Sequence, residues 1–469
     1  MARSFSIAVL TIAVAVAVAL LSLAPRAARA NGAFPESFQL ILPSDRAGQI
    51  VLATNFGMII SDDAGATWSW TCEEKQTSMA SLYGISAPPL DRFFALSSFA
   101  GLAYSDDQSC SWTTSSGVLD TLLASDYFPD PTNPLRVLAI AAPTDGSTPP
   151  QVVPSADGGK TFTTAIYTAP AGATLSGLEI AKSDPQTIYL AMATTGTHPM
   201  LVRSSDGGGH WTPSDLKPTA GPNLFRIIAV DPTDPMTITL RVIAAETESV
   251  VISHDGGQTF ATALTLCGGQ LTAYAKLASG TILVAGAVID QAVGFRSTDG
   301  GRTFANWTPL TLGVNGVPLN PDAGAAPAAT CDAGASADAA TPPEVPGVPH
   351  LLALAVRDGK LYGAAKNYSD DWAVGVSTDD GLTFAPVMKY SDVQAIRACA
   401  QQSCAASCMY QASQFIWPQS ICGPATTTTP PPVQKSGGGC QLGARPSGLV
   451  GAALLLAALC VARSRRPRR

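Results

Sequence analysis

The stretch that decides the fold is Ser253-His254-Asp255-Gly256-Gly257-Gln258-Thr259-Phe260, because it recurs. Similar eight-residue runs begin at Ser61 (SDDAGATW), Ser155 (SADGGKTF), Ser297 (STDGGRTF) and Ser377 (STDDGLTF). Two copies are degraded: SDDQSCSW at Ser105 has Ser109 and Ser111 in the Gly and Thr places, and SSDGGGHW at Ser204 has His210 in the Thr place. The common form is S-x-D-x-G-x-T-W/F, in seven copies whose serines lie 44, 50, 49, 49, 44 and 80 residues apart. Such a period marks a repeat architecture, in which each unit cannot bury its apolar faces alone. The long last step holds residues 313–349, an Ala/Pro/Gly/Asp-rich insertion without apolar periodicity.

The unit around Ser253 shows what is repeated. FRIIAV, the turn DPTDP, TITLRVIAA, SVVIS, the motif and TFATALTL follow one another. Short runs of β-formers bounded by Gly, Pro and Asp predict four strands, with the motif in the hairpin between strands three and four. Asp-Pro turns recur between the first two strands, at Asp130-Pro131, Asp184-Pro185 and Asp231-Pro232. The expected fold is therefore all-β: a seven-bladed β-propeller of four-stranded antiparallel blades over residues 31–390. In each hairpin the Asp and Ser side chains can accept backbone N–H bonds, the Gly can take a positive φ, and the aromatic ring can bury between sheets. Asp63, Asp107, Asp157, Asp206, Asp255, Asp299 and Asp379 are accordingly expected to be structural and not catalytic.

On these residues the repeat resembles the Asp box of the sialidase-like (BNR) propellers, over roughly residues 38–390. The resemblance implies that the motif turns share one face and that ligands meet the other, at the strand 2–3 loops and the blade connections. The 2–3 loops are expected at 194–199, 246–249, 288–292 and 367–372. They supply Glu246, Glu248, Asp290, Tyr368, Asp370, Asp371 and Trp372 as ligand-face candidates. The run NYSDDW combines carboxylates with aromatics, although a plain solvated turn would read the same way.

For a sialidase the resemblance would further imply three arginines gripping a carboxylate, a Tyr/Glu nucleophile pair and an acid/base Asp. The body holds ten Arg, and no F/Y-R-I-P precedes the first motif; Arg46 stands there, in SDRAG, and Phe225-Arg226-Ile227-Ile228 comes too late and lacks the Pro. Glycosidases of the xyloglucanase type use paired carboxylates instead, a role open to Asp290, Asp370 and Asp371. There is no G-x-S-x-G, H-E-x-x-H or phosphate loop. His198 and His350 are isolated, His210 and His254 lie within motifs, and no cofactor or metal site is expected.

The chain ends read as targeting segments. Residues 1–30 hold an Arg near the start, an apolar run over 5–23 and Ala28-Arg29-Ala30, the pattern of a cleaved signal peptide. Residues 424–440 contain TTTTPPP and end in Gly-Gly-Gly-Cys, a stalk that cannot pack a core. Residues 441–469 hold the apolar run Gly448–Ala462 and RSRRPRR. This end resembles the myxobacterial-type C-terminal sorting tail (MYXO-CTERM). That resemblance implies processing at Cys440 and retention of the body at the cell surface, with the tail as membrane anchor.

Eight more cysteines, Cys72, Cys110, Cys267, Cys331, Cys399, Cys404, Cys408 and Cys422, lie in the exported body, where an even number points to disulfides. The last four are expected to form a small knot over 391–423, with Cys72–Cys110 and Cys267–Cys331 as the other pairs. Composition agrees with a folded, non-polytopic chain: 46% apolar, 13% charged, mean hydropathy +0.20. The net charge is −7, but nine Arg sit in the two ends, so residues 31–440 carry 19 basic and 35 acidic side chains, a net of −16. Such a body repels phosphate backbones, which argues against nucleic acid as partner. The expected role is a monomeric binding module for protein or glycan, as in sortilin-type and photosystem-assembly-type propellers. A glycoside hydrolase and a structural envelope protein are the alternatives.

Overall fold

A computed structural model of the chain describes residues 35–74, 77, 79–194, 199–216, 224–288, 291–313, 316–318 and 348–423. The expected signal peptide, stalk and sorting tail, with Cys440, lie outside these residues, as do Cys331, Asp290 and most of the insertion. Among the described residues no helix is long and apolar enough to cross a membrane.

Seven four-stranded antiparallel blades follow one another along the chain. Blade one is Ser37–Ile41, Ile50–Thr54, Gly57–Ser61 and Ser69–Thr71. Blade seven is Leu351–Arg357, Lys360–Ala365, Val374–Ser377 and Thr383–Met388. The motif occupies the strand 3–4 hairpin of every blade, and each Asp-Pro turn lies between strands one and two, as the spacing predicts.

The second strands explain the ring. They are nearly continuous apolar runs, such as IVLAT, FFALS and VLAIAA, almost wholly buried. Side chains alternate across a strand. In blade one, Ile50 and Leu52 therefore pack toward blade seven, while Val51 and Ala53 pack toward blade two. The same alternation sends Leu138 and Ile140 toward blade four and Val137, Ala139 and Ala141 toward blade two. A separate apolar cluster fills each of the seven joints, including the joint between blades seven and one. Both faces of every sheet are thus covered, and the ring closes.

Closure uses a device found at other joints. The chain leaving blade two pairs Ser116–Gly117, in parallel, with Thr161–Phe162 at the end of the blade-three motif. The chain leaving blade six pairs Leu310–Thr311 with Thr383–Phe384 of blade seven in the same way. The chain leaving blade seven pairs Ala395–Ile396 with Ser69–Trp70 of blade one. Among the described residues no strand is exchanged between the first and last blades; the exit of blade seven treats blade one as its successor.

Two disulfides reinforce that step, and they correct the expected pairing. Cys72 bonds Cys404 and Cys110 bonds Cys399, so the segment after blade seven is fastened to blade one and to the blade-two motif. Of the four cysteines in residues 391–423, only Cys408 and Cys422 bond each other, and the segment is a strap and not a self-contained knot. The spacing could not show this, because the partners stand 332 and 289 residues apart and are brought together only by closure. Cys267 is also disulfide-bonded.

Candidate functional site

The seven motif turns are chemically alike. In blade three, Ser155 Oγ donates to Asp157 Oδ1 (2.7 Å) and accepts from Gly159 N (2.9 Å). Asp157 also accepts from Lys160 N and Thr161 N (both 3.0 Å) and from the Thr161 hydroxyl. The degraded copies keep the pattern: Ser111 donates to Asp107 in the place of Thr, and His210 Nδ1 meets Asp206 Oδ2 at 2.5 Å. Two successive residues take positive φ in each turn, Gly158 and Gly159 in blade three, which explains the glycines. Partial burial raises the Asp157 and Asp255 pKa values, but the hydrogen bonds from Thr161 and Thr259 and their neighbours outweigh it and hold both at about 2. These carboxylates are saturated with intraturn donors, which suits a staple.

The motif face is also where blades are tied together. Arg92 pairs with Asp106 (2.6 Å) and donates to Asp157 O and Gly158 O of blade three. Arg136 pairs with Asp130 (3.1 Å) and donates to Pro185 O and Gly207 O of blade four. Arg357 donates to Gln49 O of blade one (2.5 Å). Three of the ten body arginines therefore bridge blades and do not converge on a ligand.

The expected 2–3-loop candidates separate into three groups. Glu248 is not a loop residue: strand three of blade five starts at Thr247, and Glu248 is buried on it. Its carboxylate pairs with Arg241 through two bonds (2.9 and 2.6 Å) and accepts Leu271 N of blade six (2.6 Å). The run NYSDDW is not a plain turn either, because Asn367–Asp370 form one helical turn. Asp370 is spent on residues flanking the turn, accepting from His350 N and Lys366 N (both 3.1 Å) with His350 Nδ1 also at 3.1 Å. Trp372 is in the core, stacked on Phe384 with centroids 6.0 Å apart. Glu246, Tyr368 and Asp371 are exposed, Asp371 lying 3.5 Å from Lys389 Nζ, and Asp290 lies outside the described residues. No two of these carboxylates face each other in the contacts among the described residues.

A pair of carboxylates on the innermost strands escapes the motif pattern. Strand one of each blade carries a bulge, after Ser37, Ala80, Ala124, Leu175, Ile227, Leu271 and Leu351, at the same place in all but blade five, where it lies two residues nearer the strand end. An innermost strand has a free edge whose N–H groups need partners. Side chains of the preceding blade supply several: Gln39 accepts Tyr83 N (2.9 Å), Asp126 accepts Leu178 N (3.0 Å) and Glu179 accepts Val230 N (2.8 Å). Burial pushes Asp126 up to about 6 and Glu179 up to about 7, the nearby Asp126 adding to the latter. The signal in the sequence is an acid interrupting an apolar strand, in ASDYF and in SGLEI.

A cleft of about 190 Å³ lies between blades five and six on the motif face, opposite the face expected to meet ligands. Asp231, Asp234, His254, Tyr274 and Lys276 line it. Burial raises the Asp231 pKa, but its ion pair with Lys276 and the Thr233 bonds lower it below the usual value overall. The carboxylate is thus already paired, and the cleft is smaller than ordinary ligand pockets. Among the described residues no group of three or more His, Cys, Asp or Glu could hold a metal ion.

Exposed aromatics lie elsewhere. Phe99, in the 2–3 turn of blade two, is 77% exposed and Tyr368 is 46% exposed. In the strap, Tyr410 is 59% and Phe415 91% exposed, while the neighbouring Trp417 is buried against Trp70 and against Phe56 of the blade-one 2–3 turn.

No protein-family model matches the chain, and no curated protein matches it. Among solved structures it is similar to a GH74 enzyme of Niastella koreensis, at 13% identity and a TM-score of 0.50, over 76% of this chain and 54% of that one. This chain thus spans about half the length of that enzyme. It is also similar to YCF48 from Cyanidioschyzon merolae, at 12% identity and a TM-score of 0.39, over 58% of this chain and 84% of that one. A YCF48 bound to D1 peptide matches at 11% identity and a TM-score of 0.42, over 70% and 89%. At such identity the GH74 likeness shows the fold alone, and what the chain can be said to be is a seven-bladed β-propeller.

Proposed function

We propose that the chain is exported, held at the cell surface by its C-terminal tail, and uses the propeller as a binding module for protein or glycan. One observation carries the choice of binding over hydrolysis. Around the 2–3 loops the described carboxylates are consumed by structure (Glu248, Asp370) or stand apart (Glu246, Asp371), while aromatic rings are presented to solvent. A glycosidase needs two carboxyl groups facing across a bond, about 5–9.5 Å apart. An exposed aromatic surface suits recognition.

The hydrolase reading draws on Asp126 and Glu179, whose raised pKa values would suit a general acid. Both, however, accept a backbone N–H from the next blade, a structural use of the same carboxylates. The test is a glycan array alongside a chromogenic glycoside panel on the purified protein. Retention without turnover is expected; turnover that Glu179→Gln abolishes would establish the hydrolase instead. For the surface location, protease shaving of intact cells should release the body, and a body found only in the cytosol would refute it.

A further inference from the structure

We propose that Phe415 forms the aromatic platform of a binding surface on the strap whose ligand is a neutral glycan. This rests on the binding reading above and gives it a place and a ligand class.

Local structure does not explain Phe415. The helix Gln401–Ser413 ends with Gln414 as its C-cap. Phe415 N donates to Ala412 O (3.0 Å) and Ile416 N donates to Gln411 O (3.3 Å), the paired bonds of a Schellman ending. The residue at the position of Phe415 adopts the left-handed region, and glycine usually occupies it. Here φ is +62° on a bulky side chain. The ring recovers nothing by packing, since the residue is 91% exposed. Strain and exposure in one residue point away from folding and toward a use outside the fold.

Its support is rigid. Ile416 and Trp417 are buried directly behind it, Trp417 against Trp70 with centroids 5.0 Å apart. Cys72–Cys404 fixes the first turn of the helix to blade one, and Cys408–Cys422 closes the segment on itself. A pre-set aromatic on a braced helix end binds without a large ordering cost.

The surroundings select the ligand. Residues 398–423 contain no Asp, Glu, Lys, Arg or His, in a body of otherwise acidic character. Besides Phe415, the polar side chains the segment exposes are Gln402, Ser403, Tyr410, Ser413, Gln414, Gln419 and Ser420, all of them neutral. The C–H face of a sugar ring carries partial positive charge and sits on the negative face of an aromatic ring. Amides and hydroxyls match vicinal sugar hydroxyls as donors and acceptors. Anionic polymers are opposed by the acidic body.

The test is retention of the full-length protein on immobilised cellulose, chitin, amylose and galactomannan, with polygalacturonate as the acidic comparison. Retention on at least one neutral polysaccharide is expected. Phe415→Gly should weaken it about tenfold or more, while Phe415→Tyr should keep it. The melting temperature of Phe415→Gly should not fall, because glycine suits the backbone there. Retention unchanged in Phe415→Gly overturns the site and leaves the binding reading standing. No retention on any neutral polysaccharide, or preference for polygalacturonate, overturns the glycan. Capture of a protein partner that is lost in Phe415→Gly would replace the glycan with a protein at the same surface.

Discussion

The motif turns and the strap make opposite use of their side chains. Each turn contains a carboxylate, yet its oxygens are filled by donors within the turn, seven times over. The strap occurs once, bears no charge over residues 398–423, and leaves an aromatic ring in solvent on a strained backbone. Repetition therefore marks what holds the ring together. The unrepeated segment, which also closes the ring, carries the most exposed large apolar side chain among the described residues, Phe415.

The largest effect should come from the strap's covalent ties. Taken singly, each removes loop entropy from an unfolded chain spanned over roughly three hundred residues, worth about 6 kcal/mol in the entropic account. Cys72→Ala with Cys404→Ala should therefore lower the melting temperature well below that of the intact protein. Hydrogen exchange should show the loss first at the inner strands of blades seven and one. Uniform loss around the ring would mean that the strap does not serve closure.

Next is a motif. Ser155→Ala with Asp157→Ala deletes several hydrogen bonds around a buried hydroxyl and should cost about 2–3 kcal/mol. Denaturant unfolding checks this, and an effect below about 0.5 kcal/mol would remove the staple role.

Acidity should act on the two kinds of carboxylate in opposite directions. Glu179, raised to about 7, and Asp126, raised to about 6, hold protons in the folded state that the unfolded chain has released. Stability should therefore rise as pH falls from about 8 toward about 5. The motif carboxylates Asp157 and Asp255 are depressed to about 2, so their contribution is complete above the unfolded value near 4 and is lost as pH falls toward 2. Melting temperature against pH should peak in mildly acidic buffer, and Glu179→Gln should shrink the limb between about pH 5 and 8 without abolishing it, because Asp126 and Glu73, which burial raises to about 7, still contribute. A flat limb in the unmodified protein would show that the inner strands do not confine these acids. The smallest effect is Phe415→Gly, which should stabilise by about 1 kcal/mol on relief of the left-handed strain.

What is legible in the sequence follows the same division. Blade number, strand order, the hairpin place of the motif and the Asp-Pro turns are local patterns, and they can be read directly. The disulfide partners cannot, because Cys72 and Cys404 meet only after the ring closes. Glu248 reads as a loop residue because Ala245-Glu246 looks like the start of a longer turn, whereas the strand begins at Thr247 and Arg241 across the hairpin claims the carboxylate. Trp372 reads as a companion of the neighbouring carboxylates, but a large ring beside blade six is more stable in the core. Asp126 and Glu179 gain their character from neighbouring blades, and Phe415 becomes conspicuous only once its backbone angle and exposure are known.

If stability belongs to the motif turns and recognition to the strap, the most direct measurement reads both properties on the same two variants. Thermal unfolding and polysaccharide retention should be compared for Ser155→Ala/Asp157→Ala and for Phe415→Gly. The motif variant should melt lower and bind normally below its transition, while Phe415→Gly should melt no lower and lose retention. A motif variant that loses binding at unchanged melting temperature, or a Phe415→Gly that melts lower and binds as before, would contradict this division.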